Sequence, residues 1–161
     1  MDRSVTHATF SLERSYPASP ARVFTAWADP AAKARWFTPE PGAGHELDFR
    51  IGGREVATGG PEGGPLMTFE TLYRDIVPEQ RIVYTSTLSA GPDLMTVSLT
   101  TVEFTPGEDG GTRLVLTEQG AYLDGQEQPA WRVSSQSAAC APGPLNRGSR
   151  VVAGVLTGAP P

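Results

Sequence analysis

The sequence predicts an α+β domain: one antiparallel sheet of six to seven strands, two short helices, and a further helix after the last strand. Three observations predict it. Apolar residues recur at every second position in residues 5–16 and again from Glu46 to Gln119, the spacing of half-buried strands. Two cap-then-proline signals, Ser19-Pro20 and Asp29-Pro30, lie between these stretches and start two short helices. The turns joining the later strands are of hairpin length, so neighbouring strands run antiparallel; a parallel pair needs a longer crossover. With 18 Gly and 15 Pro among 161 residues, the chain is well supplied for such turns.

The first strand spans residues 5–16, with Ala8, Phe10 and Leu12 on one side and Thr9, Ser11 and Glu13 on the other. Ser19 then caps a helix, and Pro20 takes its first position, where a missing N–H costs nothing. That helix runs from Ala21 to about Ala28 and gathers Val23, Phe24 and Trp27 on one face. A second runs from Ala31 to about Trp36 and is closed by Phe37 and Pro39. From Glu46 the period becomes two. Leu47, Phe49 and Ile51 alternate with Asp48 and Arg50, which predicts a strand that turns at Gly52-Gly53 into Arg54–Thr58. The loop from Gly59 to Pro65 consists of turn formers.

Met67, Phe69, Thr71 and Tyr73 line one face of the next strand, which ends at Val77-Pro78-Glu79. Arg81–Leu88 follows, with Ile82 and Tyr84 together. Met95, Val97 and Leu99 alternate, then Val102 and Phe104 resume one residue out of step, which predicts a β-bulge near Thr100-Thr101. The turn Pro106–Gly111 leads into Thr112–Gln119. Two short helices are too small to cover so many strands, so a longer helix is expected to begin near Gly125–Trp131.

Composition changes sharply near residue 132. Residues 133–161 contain no Asp, Glu, Lys or aromatic residue, and their only charges are Arg147 and Arg150. We divide the chain into a folded body, 1–132, and a Gly/Pro/Ala/Ser-rich tail, 133–161. Pro142 and Pro144 end any helix that starts near Gln126, so the C-terminal helix is expected to be short. An apolar sheet face left open in this way leads to a marginal monomer or to a homodimer, unless the Val151–Leu156 cluster folds back over it.

The formal net charge of −5 comes without an evident basic face, which argues against nucleic acid as partner. No apolar run reaches the roughly 18 residues of a membrane span, and the N-terminal residues lack an apolar signal segment. A cytoplasmic location is expected. A single cysteine, Cys140, excludes an internal disulfide framework and a Cys-rich metal site.

The stretch SYPASPARVFTAWADPAAKARWFTP resembles the signature of the activator-of-Hsp90-ATPase-homologue domain, in the START and Bet v 1-like superfamily. Pro17, Pro20, Val23-Phe24, Ala26-Trp27, Asp29-Pro30 and Trp36-Phe37 carry the likeness. Asp48 to Gly53, Glu70–Arg74, Val77-Pro78, Arg81–Tyr84, Val102–Phe104 and Thr112–Thr117 continue it. The resemblance covers roughly residues 5–132 and implies a helix-grip fold: a curved antiparallel sheet around a C-terminal helix, with a cavity between them. The tail departs from the family pattern, which continues into about five helical turns with spaced leucines. Such a tail is what a shifted reading frame in a GC-rich gene encodes, or else it is a divergent segment in its own right.

The resemblance implies binding of a small hydrophobic or amphipathic molecule in that cavity. The same fold also serves enzymes of the polyketide cyclase or aromatase kind, and co-chaperones that stimulate an Hsp90-type ATPase. Trp36, Phe49, Phe69, Tyr84 and Tyr122 are expected as core or cavity wall, the two tyrosines bringing a hydroxyl that needs a partner when buried. Arg50 either pairs with Asp48 on the surface or points into the cavity and steers a polar ligand. An enzyme would need Arg50, Tyr84 and His45 to converge on one atom. No catalytic residue is assigned: the chain has no G-x-S-x-G elbow and no H-E-x-x-H pair around His7 or His45. No metal or cofactor is expected, and the paired glycines read as hairpin turns.

Overall fold

The computed structural model describes residues 3–37, 44–60, 62–127 and 154–156, without the side chains of 36–37 and 154–156. Strand β1 (Val5–Tyr16) leads into helices α1 (Pro20–Ala28) and α2 (Pro30–Phe37). Six strands follow: β2 (Gly44–Leu47), β3 (Arg54–Gly59), β4 (Met67–Val77), β5 (Arg81–Ala90), β6 (Asp93–Pro106) and β7 (Thr112–Leu123). These seven form a curved, unclosed antiparallel sheet, an α+β helix-grip-like fold. A short strand β8 (Gly154–Leu156) pairs with β1, giving the spatial order β2-β3-β4-β5-β6-β7-β1-β8.

The helix signals work as their chemistry dictates. The Ser19 hydroxyl accepts from Arg22 N–H at 3.3 Å, and Pro20 occupies the first turn. The Asp29 carboxylate accepts from Ala32 N–H at 2.7 Å and starts α2. Helix α1 then drops Val23 and Trp27 onto one end of the inner sheet face, where both are buried. Phe24 and Trp27 meet Phe104 edge-on, at ring separations of 5.5 and 6.5 Å. Phe10, Leu12, Ile82, Val102, Leu114 and Leu116 complete this core from four strands.

Two expectations need correction. The strand predicted through Ile51 ends at Leu47, and Asp48–Gly53 forms a tight turn. Arg50 N–H donates to the Asp48 carbonyl at 3.1 Å, and Gly53 N–H to the Arg50 carbonyl at 2.8 Å. A Cβ at Gly53 would sit 2.1 Å from the Asp48 carbonyl oxygen, so the turn requires glycine there. The bulge predicted near Thr100-Thr101 is absent; both neighbours pair with β6 in unbroken register through those residues. The shifts fall instead between Tyr73 and Asp75 and between Leu88 and Ser89. The reason is that Val97 and Leu99 face outward, 41% and 38% exposed, while Thr96, Ser98 and Thr100 face inward. The alternation never breaks; only its polarity reverses.

After β7 the described chain turns at Asp124–Glu127. The expected C-terminal helix, and with it the dimer over an open face, lies outside the described residues. Of the Val151–Leu156 cluster, the described part extends the sheet at β1, with Thr9 opposite Leu156 and Ser11 opposite Gly154. Among the described residues no helix is long and apolar enough to cross a membrane.

Candidate functional site

Strand register places inward side chains in rows across the sheet. Ile76, Ile82, Val102, Leu116 and Leu12 form one apolar row within the core just described. The next row away from it holds Tyr73, Tyr84, Thr100, Glu118 and Phe10. Beyond lies a row of small residues that begins at Glu55: Thr71, Ser86, Ser98, Gly120 and Ala8. Phe69, Leu88, Thr96 and Tyr122 form the row after that. The small row is thus a low line between two taller ones. It is closed at Gly120, where an added Cβ would lie 2.9 Å from the Tyr122 ring.

The low row is buried and polar. Thr71, Ser86 and Ser98 are 1%, 2% and 4% exposed. Thr71 and Ser86 share a hydrogen bond of 2.9 Å. The Ser98 hydroxyl is buried without a hydrogen-bond partner among the described residues. On either side of it along β6, the Thr96 hydroxyl donates to the Glu127 carboxylate and the Thr100 hydroxyl to Glu118 at 3.4 Å.

At the Glu55 end four side chains from four elements converge. Lys33 Nζ of α2 donates to Glu55 Oε1 at 2.7 Å and to the Tyr73 hydroxyl at 3.1 Å. The Tyr73 hydroxyl donates to the same carboxylate oxygen at 3.2 Å. His45 Nε2 of β2 lies 3.0 Å from Glu55 Oε2. The Lys33 and Glu55 side chains are 3% and 1% exposed. Lys33 also stands 5.4 Å from the Trp27 ring centre and 5.8 Å from that of Tyr73. Burial, together with the Glu55 charge, holds the Tyr73 phenol un-ionised well above its usual range.

Of the residues singled out from sequence, Phe69, Tyr84 and Tyr122 stand in the rows that flank the low line. Tyr84 and Tyr122 are buried and Phe69 is half-buried. Phe49 has left the sheet with the Asp48–Gly53 turn and packs edge-on against Tyr73 at 5.0 Å and Phe24 at 5.7 Å. Arg50 stands apart from them, its side chain 68% exposed and paired with Asp48 at 2.9 Å. The Trp36 side chain lies outside the described residues.

Lys33, Glu55 and the small row were not read from the sequence as site residues. One signal was available for Lys33: it is the only lysine beside twelve arginines. For the small row the signal was a serine or glycine at inward positions of three consecutive strands.

Clefts lie elsewhere among the described residues. One of about 520 Å³ is lined by outer-face residues including His7, Thr9, Val97 and Leu99. Another of about 550 Å³ lies between Pro20, the Pro78–Arg81 turn and Pro106. Among the described residues no group of three His, Cys, Asp or Glu side chains is placed to hold a metal.

The fold has close relatives among solved structures. A crystal structure of a Rhizobium loti protein is 46% identical, with a TM-score of 0.80 over 85% of this chain and 94% of that one. A Rhizobium leguminosarum protein is 38% identical, with a TM-score of 0.81 over 87% of this chain and 93% of that one. An Hsp90 activator from Plasmodium falciparum is 23% identical, with a TM-score of 0.50 over 69% and 71% of the two chains. No protein of curated function matches the sequence. The family model for activator of Hsp90 ATPase homolog 1-like proteins matches residues 17–138, three-quarters of the chain, and the protein belongs to that family.

Proposed function

We propose that the protein binds a small amphipathic molecule on the inner sheet face, beyond the edge of α1. The division of that face supports this reading. Beneath α1 the inward residues are aliphatic and aromatic, as a folding core requires. Beyond it, β3 to β6 send inward Glu55, Thr71, Ser86, Ser98 and Thr96, all buried. Hydroxyls in such positions lose water and add little packing, so folding alone gives no reason for them. Flanked by Phe69, Leu88, Tyr73 and Tyr84, they make the combination of apolar walls and a few polar handles that small-molecule sites have.

Native mass spectrometry of protein purified from its own host tests the reading. A small molecule should accompany the protein and be released on unfolding. Protein that carries none, and whose melting temperature no amphipathic compound raises, refutes it.

A second reading, an enzyme of the polyketide cyclase or aromatase kind, draws on the convergence of Lys33, Glu55, His45 and Tyr73 beside the low row. It predicts conversion of the bound molecule, abolished in His45→Gln with binding retained; a molecule recovered unchanged after prolonged incubation refutes it. The likeness to the Plasmodium falciparum Hsp90 activator, at 23% identity, carries the fold and gives no support to a chaperone partner.

A further inference from the structure

We infer that the low row is a slot for a flat, uncharged ring compound, one or two rings in size, that places a hydroxyl or carbonyl oxygen on Ser98. This rests on the binding reading above and specifies its ligand.

Two independent observations carry it. The first is the row itself. Thr71, Ser86 and Ser98 face each other across β4, β5 and β6, whereas the rows on either side carry Phe69 and Leu88, or Tyr73 and Tyr84. Strands lie about 4.8 Å apart, so the three positions span roughly 10 Å, the length of two fused rings. The flanking rows sit roughly 13 Å from each other along the strands, and their own side chains narrow that to about one ring. Tyr122, lying against Gly120, closes one end. Glu55, bound to Lys33, Tyr73 and His45, closes the other.

The second observation is the Ser98 hydroxyl. It belongs to a residue 4% exposed, on the inward face of β6, and has no hydrogen-bond partner among the described residues. A buried hydroxyl without a partner is costly, and native proteins rarely retain one without use. Its neighbours differ: Thr71 and Ser86 satisfy each other at 2.9 Å. Ser98 is thus a position in the slot that has hydrogen-bonding capacity to offer. The charges that border the slot are partnered, Lys33 with Glu55 at the closed end and the Glu118 and Glu127 carboxylates with the Thr100 and Thr96 hydroxyls, so it suits an uncharged molecule.

Matched probes test this: 1-naphthol, and 1-methylnaphthalene, which has the same shape but cannot hydrogen-bond. Fluorescence titration of the wild type should show 1-naphthol bound about tenfold tighter. Ser98→Ala should erase that preference and bind 1-methylnaphthalene as the wild type does. Removing an unpartnered hydroxyl does not threaten the fold, so Ser98→Ala is expected to keep the wild-type circular dichroism. Ser86→Leu should fill the slot and exclude both probes, and Thr71→Leu repeats that test should Ser86→Leu not fold. Failure of both probes to bind the wild type, or an unchanged preference in Ser98→Ala, overturns the inference. A host molecule that co-purifies equally with the wild type and Ser98→Ala, while both probes are ignored, overturns it and leaves the broader binding reading standing.

Discussion

Lys33→Met is the most informative single perturbation of the buried cluster. It removes the ammonium 2.7 Å from Glu55 Oε1 and leaves the carboxylate, 1% exposed, with the Tyr73 hydroxyl and His45. Breaking a buried ion pair from one side costs about 3–5 kcal/mol, because the remaining charge stays out of water. The contacts of Lys33 with the Trp27 and Tyr73 rings belong to the same loss. Set against a total stability of about 5–15 kcal/mol, that is a large fraction. It corresponds to a fall of about 10 °C in melting temperature for a domain of this size. Glu55→Leu should cost a similar amount by leaving Lys33 buried. The double variant Lys33→Met/Glu55→Leu replaces both charges by apolar surface and should return to within about 2 kcal/mol of the wild type. Urea denaturation of the four proteins, followed by tryptophan fluorescence, reads the coupling directly. An unchanged midpoint in Lys33→Met, or a double variant that loses the sum of the two single losses, refutes the reasoning.

Trp27→Ala should cost about 3–5 kcal/mol in the same assay, since it empties the contact between α1 and Phe104; an unchanged midpoint would show that α1 is not anchored by this ring. Tyr73 ionises above its ordinary range when folded, so its contribution to stability is complete below about pH 10 and is lost as pH rises beyond it. Absorbance titrations of the wild type and Tyr73→Phe should therefore superimpose up to the alkaline unfolding transition, and an earlier difference refutes the assignment. Gly120→Ala pushes a methyl to 2.9 Å from the Tyr122 ring and should cost about 1–3 kcal/mol; the loss should shrink when Tyr122→Leu is added. Glu13 and Glu70 are held below the usual carboxylate range, first by hydrogen bonds from Arg113 and Arg54. What they contribute is present above about pH 4.3 and disappears as pH falls further. Both pairs are exposed, so Glu13→Gln and Glu70→Gln should shift the urea midpoint only slightly at pH 7, and less still in 1 M salt.

Where inward positions are apolar, the sequence was readable. Phe10 and Leu12 in β1, Ile82 and Tyr84 in β5, and the capped helices at Ser19 and Asp29 all lie where local chemistry places them. Reading failed where the inner face turns polar. In β6 the apolar Val97 and Leu99 attract the assignment to the core, while Thr96, Ser98 and Thr100 occupy it, and a spurious bulge was needed to reconcile the two phases. Glu55 was hidden in the same way: a carboxylate flanked by Arg54 and Val56 reads as the solvent side of its strand, and it is the inward one. Its partners lie 22, 10 and 18 residues away on three other elements, and no local pattern links them. Arg50 pairs with Asp48 on the surface, one of its two expected placements, but from a turn around Gly53 and not from a strand, because Phe49 and Ile51 continue a two-residue period into that turn.

The pairing of β1 with β7 has a consequence for how the chain reaches this structure. Strands β2 to β7 follow one another as hairpins and can zip together as soon as each turn forms. β1 must wait for a partner about a hundred residues downstream: Ser11 bonds Thr117 across 106 residues, and Ser4 bonds Asp124 across 120. Closing a loop of roughly 100 residues costs about 3 kcal/mol more chain entropy than closing a hairpin turn of four. During synthesis the first strand therefore leaves the ribosome long before β7 exists, and Phe10 and Leu12 stay in water until the sheet has grown to meet them. We expect β1 to dock late, so substitutions of Phe10 and Leu12 should speed unfolding and leave the refolding rate nearly unchanged, whereas substitutions of Ile82 and Val102 should slow refolding.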